Sequence, residues 1–128
     1  MALRLYHDEA GNQEITSENK DTVEGAVVSG QTLTDEEVLW LKSDDDNLTY
    51  ENITITSTNT PGDPPVTVEY ALDDGEGDPE TYADPLTVPD GAYTTAIKIH
   101  RKAVSEDIAG AFVRTNIEHE VKADEFVV

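Results

Sequence analysis

Apolar and polar residues alternate along most of this chain, and a period of two marks strands with one buried face. Leu3 and Leu5 share a face against Arg4 and Tyr6, which predicts a first strand over 2–7. The polar stretch from His7 to Asn19 contains Gly11 and reads as a loop or short hairpin. Val23 with Ala26-Val27-Val28, bounded by Gly25 and Gly30, fits either a short strand or a helical turn. Residues 36–42 are the clearest core strand. Thr34-Asp35-Glu36-Glu37 has the look of a helix capping box. The apolar run behind it is short, however, and soon meets Asp44-Asp45-Asp46-Asn47, a turn, so a strand is predicted instead.

The alternation resumes over 48–58 with Leu48, Ile53 and Ile55. Pro61, Gly62, Asp63, Pro64 and Pro65 break it. Val66, Val68, Tyr70 and Leu72 form one face of the next strand, and Asp73 to Pro79 is a turn or extended loop. Leu86 and Val88 mark a short strand closed by Pro89-Asp90-Gly91. Over 92–102, Tyr93, Thr95, Ile97 and Ile99 share a face, and Lys98, His100 and Lys102 take the other. The segment from Ser105 to Ala109 is polar and fits one helical turn, and a long last strand runs from Val113 through Ile117 and His119 to Val121. This predicts about seven to nine strands and no amphipathic helix: an all-β fold, an antiparallel β-sandwich in a single domain over 1–128. Residues 1–30 are expected to supply an N-terminal strand plus an interaction arm.

Composition narrows the environment. With 8 Lys and Arg against 28 Asp and Glu, the 128-residue chain carries a formal charge of −20. Fourteen of the acids fall in residues 1–64 and fourteen in 65–128, an even coat and not an acidic tail. Such a charge disfavours nucleic acid and anionic membrane as partners. The absence of cysteine excludes disulfide scaffolds and thiolate metal sites. No apolar run approaches a membrane span. The start, Met1-Ala2-Leu3-Arg4-Leu5-Tyr6, does not have the basic-then-apolar layout of a secretory signal. Like charges at this density oppose folding in dilute buffer, whereas molar salt shortens the Debye length to about 3 Å. A high-salt source is therefore expected. The alternative is an acidic mesophilic protein that binds divalent cations or a basic partner.

Two resemblances follow. Val38-Leu39-Trp40-Leu41-Lys42, then Leu48 to Ile55, then Val66 to Gly75 and the run from Gly110-Ala111-Phe112-Val113 together resemble an immunoglobulin-like domain over residues 36–121. The match departs from antibody domains in one respect: Trp40 is present but the cysteine pair it would pack against is not. The compact start, the acidic dress and the small all-β body also resemble minor structural proteins of tailed viruses that infect haloarchaea. That resemblance implies a virion protein that decorates the capsid or builds the tail or baseplate through repeated contacts. Its expected partners are other virion structural proteins, in a homo-oligomer or symmetric assembly.

Candidate chemistry is sparse. His7, His100 and His119 lack the spacing of a zinc site, and His119 falls on an apolar face, as a core or interface histidine. No serine lies in a nucleophile elbow, and with 28 acids any carboxylate pair is chance, so no catalytic residue and no cofactor are assigned. The acidic loop Asp73, Asp74, Glu76 and Asp78, with its glycines, is the better of two places for Ca²⁺ or a similar cation; the other is Asp44-Asp45-Asp46-Asn47. Asn47 and Asn52 begin glycosylation sequons of the kind a Thr-rich chain yields by accident.

Lys98, His100, Arg101 and Lys102 form a basic island that reads as a docking face for an acidic neighbour. The plainer reading is a strand paired within the chain to acids such as Glu118 and Glu120. Phe126, Val127 and Val128 end the chain with apolar side chains that need a surface to pack on. The expected function is a non-catalytic virion structural protein. The alternative is a carbohydrate- or cation-binding adhesion module of a halophile cell surface, with Tyr50, Tyr82 and Tyr93 as its aromatic candidates. Reversing Lys98, Arg101 and Lys102 to Glu is expected to spare the fold and weaken docking. Lowering salt from molar to about 0.1 M is expected to depress the melting temperature followed by circular dichroism; an unchanged melt across that range contradicts the high-salt reading.

Overall fold

The computed structural model describes residues 1–16, 19, 21–26, 32–59, 66–105 and 111–128, with the side chains of 23–26, 59 and 111–116 left outside the description. Eight strands are present: β1 (Leu3–Tyr6), β2 (Asp21–Ala26), β3 (Leu33–Ser43), β4 (Leu48–Asn59), β5 (Thr67–Leu72), β6 (Leu86–Val88), β7 (Ile97–Ser105) and β8 (Ala111–Val127). Among the described residues there is no helix. The segment left open between strand and helical turn thus begins as strand β2. The helical turn expected after Ser105 lies outside the described residues, and Ser105 itself ends β7.

The strands form two four-stranded sheets, ordered β1-β3-β7-β5 and β2-β8-β4-β6, with every pairing antiparallel. The chain is an all-β antiparallel sandwich. In immunoglobulin domains one sheet holds strands A, B, E and D and the other C, F and G. The first sheet can be laid onto that set in chain order, with β1, β3, β5 and β7 as A, B, D and E. In the second, β8 lies beside β4 as F lies beside C, and β2 fills the edge beyond β8 where G would close the sheet. The strand read from sequence as the closing one therefore sits inside its sheet, and an N-terminal segment closes it.

Alternation explains which side chains meet. Leu3, Leu5, Leu39, Leu41, Val68, Tyr70 and Ile99 point inward from the first sheet. Tyr50, Ile53, Ile55, Leu86, Val88 and Ile117 do so from the second. Tyr50 is fully buried and shares a 2.8 Å hydrogen bond with Ser43. The strand expected to start near 92 begins at Ile97: Tyr93 has φ 54°, and its hydroxyl donates to the Pro89 carbonyl.

Both outer edges of the first sheet are covered. Segment 79–83 lies along β5, where Tyr70 and Ala83 exchange backbone hydrogen bonds of 2.9 and 2.8 Å. Segment 13–15 lies along β1, with Ile15 N donating to Leu5 O at 3.0 Å. The long β8 pairs with β2 along its first part, up to Ile117, and with β4 from Glu118 to Val127, on opposite edges. From Glu118 onward its β2-side edge carries no strand among the described residues.

Leu41 is fully buried, whereas Val38 on the opposite face is 36% exposed. Leu41→Ala is expected to cost about 2–5 kcal/mol in chemical denaturation and Val38→Ala about 1 kcal/mol or less; equal costs would contradict the assigned facing.

Candidate functional site

The basic island does not form one surface. Along β7 the inward positions are Ile97, Ile99, Arg101 and Ala103, and the outward ones Lys98, His100 and Lys102. Arg101 is fully buried. An Arg on a central strand of a sandwich cannot reach solvent past its neighbours, so its charge must be met inside. Asp21 of β2 meets it, with Oδ2 3.0 Å from Arg101 Nε and Oδ1 accepting from Nη2 at 3.2 Å. The Nε approach is an ion-pair contact and lacks the alignment of a hydrogen bond. Arg101 Nη1 also donates to Asp35 O at 2.9 Å and Nη2 to Thr22 O at 3.3 Å. Arg101 is thus corrected from a docking residue to the centre of an internal ion cluster.

His119 completes the cluster as a core residue, with its side chain 1% exposed. Its Nε2 lies 2.7 Å from Asp21 Oδ2. A carboxylate can only accept, so Nε2 carries the hydrogen, and the Tyr70 hydroxyl hydrogen-bonds Nδ1 from the other side. The two rings meet edge-on at 78°. Burial pulls the Asp21 pKa up, but the hydrogen bond from His119 and the Arg101 charge outweigh it and hold the carboxyl below its ordinary value. Burial, with Asp84 and Asp21 nearby, pushes the Tyr70 hydroxyl up, so it keeps its proton. The chain Tyr70–His119–Asp21 has the order of a proton relay, but its acceptor is already paired to Arg101 inside the core.

The outward side chains of β7 belong to a different feature. Register sets Trp40 beside Lys98, Val38 beside His100 and Glu36 beside Lys102 on the outer face of the first sheet. Lys98 Nζ lies 5.6 Å from the Trp40 ring centroid, and Lys102 Nζ lies 4.4 Å from that of Tyr82. Lys102 reaches Glu69 at 3.9 Å. The intramolecular partners named from sequence, Glu118 and Glu120, lie on β8 in the other sheet, where Glu120 pairs with Lys122 at 3.3 Å. The acidic loop and His7 border this face. They leave a groove of about 640 Å³ floored by Val38, Trp40 and Lys98 and walled by His7, Asp78 and Tyr82.

The acidic loop does not gather cation ligands. Asp73 Oδ2 accepts from Gly75 N at 2.9 Å, and Asp74 Oδ1 accepts from Glu76 N at 2.7 Å and Asp78 N at 3.2 Å. Gly75 and Gly77 sit at φ 90° and 94°, where a side chain would be strained, so the glycines serve the turn. Asp73 Oδ1 is turned to His100 Nε2 at 2.8 Å. That bond, with the Gly75 and Gly77 amides, holds the Asp73 carboxyl below its ordinary pKa. No three His, Asp or Glu groups converge on a metal position among the described residues. The loop's work is to cap itself and anchor His100.

Of the aromatic candidates, Tyr50 is buried and Tyr93 is tied to Pro89, whereas Tyr82 faces the groove. The sequence reading did not place Trp40 in this groove or Asp21 in the core. The signal for Arg101 was present, because the period that puts Ile97 and Ile99 on one face lands next on Arg101. Asp21 carried no signal, since its partners are distant in sequence. Compared with protein-family models, curated proteins and solved structures, the chain matches none.

Asp21→Asn removes the nearer countercharge of the buried guanidinium, leaves the Asp35 carboxylate 3.9 Å from Nη1, and is expected to cost about 3 kcal/mol in urea denaturation. Because the Asp21 pKa is depressed on folding, its contribution is complete above the unfolded value of about 3.9 and fades as pH falls through the folded value. The stability gap between wild type and variant is expected to narrow in acid. A gap that is pH-independent would show that the Asp21 charge is not what holds the cluster.

Proposed function

We propose that this chain is a non-catalytic structural module whose work is assembly through repeated protein–protein contact. The setting that the sequence resemblance suggests is the virion of a salt-adapted tailed virus, on the capsid surface or in the tail or baseplate. The observation that carries the assembly reading is the end of β8. Phe126, Val127 and Val128 are 46%, 82% and 84% exposed, although the strand is ordered against β4 and Val128 N donates to Asn47 O at 2.9 Å. Ordered, water-facing apolar side chains on a strand with one open edge are a template for adding another strand or sheet. Among the described residues, the outer edges of β1 and β5 are covered by segments 13–15 and 79–83, and β6 is three residues long.

The basic residues support this less than the β8 end does. Arg101 is buried, and Lys98 and Lys102 lie over aromatic rings of their own chain. The partner proposed for the β8 end is therefore a second copy meeting it through apolar and backbone groups. In brine such contacts gain, because charge repulsion between acidic copies is screened while apolar burial is not.

Sedimentation velocity in molar salt tests this. The wild-type chain is expected to form concentration-dependent oligomers, and Phe126→Ser with Val127→Asp to return it to monomer with an unchanged circular dichroism spectrum. A wild-type chain that stays monomeric at every concentration overturns the proposal, as does an oligomer indifferent to the double substitution.

A further inference from the structure

The outer groove of the first sheet has a composition that selects a ligand class by charge and shape. Its floor holds Trp40, half-buried, and Val38, 36% exposed, and Tyr82 stands at the wall. Trp40 and Val38 are apolar surfaces left open to solvent on the central strand β3, where a sandwich has no need of them. The volume of about 640 Å³ falls within the usual range for small-molecule sites.

Three features narrow the occupant. Lys98 lies over the Trp40 ring and Lys102 over the Tyr82 ring. A cationic ligand at these rings would lie beside two ammonium groups and be repelled by both. Glu36, Glu37 and Asp78 line the same groove, in a chain of charge −20, so an anionic ligand meets carboxylates at close range and repulsion further out. A purely apolar ligand would leave those charged groups desolvated without partners. What remains is a neutral molecule with an apolar face for the rings and hydroxyls that donate to carboxylates and accept from ammonium groups.

We propose that this groove binds a neutral saccharide, with its C–H face on Trp40 and Val38 and its edge on Tyr82. Glu36 and Asp78 accept from sugar hydroxyls, and Lys98 donates to them. The Asp73–His100 hydrogen bond holds the acidic loop against the β7 side of the groove and so sets the groove's shape before a ligand arrives. Stacking of this kind keeps its strength in high salt, where ion pairs lose theirs.

Trp40 is the single tryptophan of the chain, so its fluorescence reports on the groove directly. The full chain in molar salt would be titrated with neutral hexaoses of glucose, mannose, galactose and xylose. Oligogalacturonate and choline would serve as the anionic and cationic comparisons. At least one neutral hexaose is expected to shift the emission saturably, with Kd at or below about 1 mM. Tyr82→Ala is expected to weaken that binding about tenfold. Val38→Asp, at an exposed position that leaves the core alone, is expected to abolish it, with isothermal calorimetry as the second readout. The proposal is overturned if no neutral hexaose saturates the signal, if oligogalacturonate or choline binds as well as the best hexaose, or if both folded variants bind like wild type. This test is independent of the oligomeric state, so saccharide binding and self-assembly can fail separately.

Discussion

The structure depends on one buried charge. Arg101 sits inside the sandwich on a central strand, and an uncompensated guanidinium there would cost several kcal/mol. Asp21 supplies the nearer countercharge and the Asp35 carboxylate a second at 3.9 Å, Asp35 and Thr22 supply carbonyl oxygens, and His119 and Tyr70 extend the hydrogen bonding. These groups come from β2, β3, β5, β7 and β8, so a single cluster ties both sheets together. It also explains why the N-terminal segment closes the second sheet: β2 is the strand that brings the carboxylate. Apolar burial alone would let several edge strands dock beside β8, whereas the cluster accepts one whose first residue is an acid.

The two faces of β7 illustrate a division of labour. Inward, Ile99, Arg101 and Ala103 build core and cluster. Outward, Lys98, His100 and Lys102 join Trp40, Val38 and Tyr82 around a groove. The basic island of the linear sequence is therefore two unrelated features interleaved by the strand's period. Both lysines lie over rings, and His100 is spent on the acidic loop, so little free positive charge remains to attract an acidic neighbour. In the acidic loop, Asp73 gives one oxygen to His100 and the other to the Gly75 amide, and Asp74 Oδ1 accepts from the Glu76 and Asp78 amides, so these groups serve the turn and its anchorage.

The acidic coat and the two proposed surfaces are compatible. A chain of −20 resists close approach to copies of itself until salt screens it, and the contacts best suited to that condition are not ionic. The exposed apolar end of β8 and the aromatic groove both rely on interactions that survive brine. They lie on different parts of the molecule, one at the end of the second sheet and one on the outer face of the first, so assembly and ligand binding need not compete.

Strand positions were legible in the sequence because a half-buried strand writes its facing into every second residue. The alternations around Leu3–Leu5, Val38–Leu41, Val66–Leu72, Leu86–Val88 and Ile97–Ile99 all became strands, and the resulting class, an antiparallel sandwich, followed. The start of β7 was misjudged because Tyr93 continues the period while its positive φ breaks the backbone. What periodicity does not encode is which distant residues share a height in the core. Asp21 and Arg101 are eighty positions apart, Tyr70 and His119 forty-nine, and Trp40 joins Tyr82 only because β3, β7, β5 and a loop stack side by side. Local pattern determined the faces of this protein. Partner choice across the sheets, and with it the buried cluster and the groove, was decided only when long-range pairing brought those faces together, since register and sheet order are properties of the closed chain.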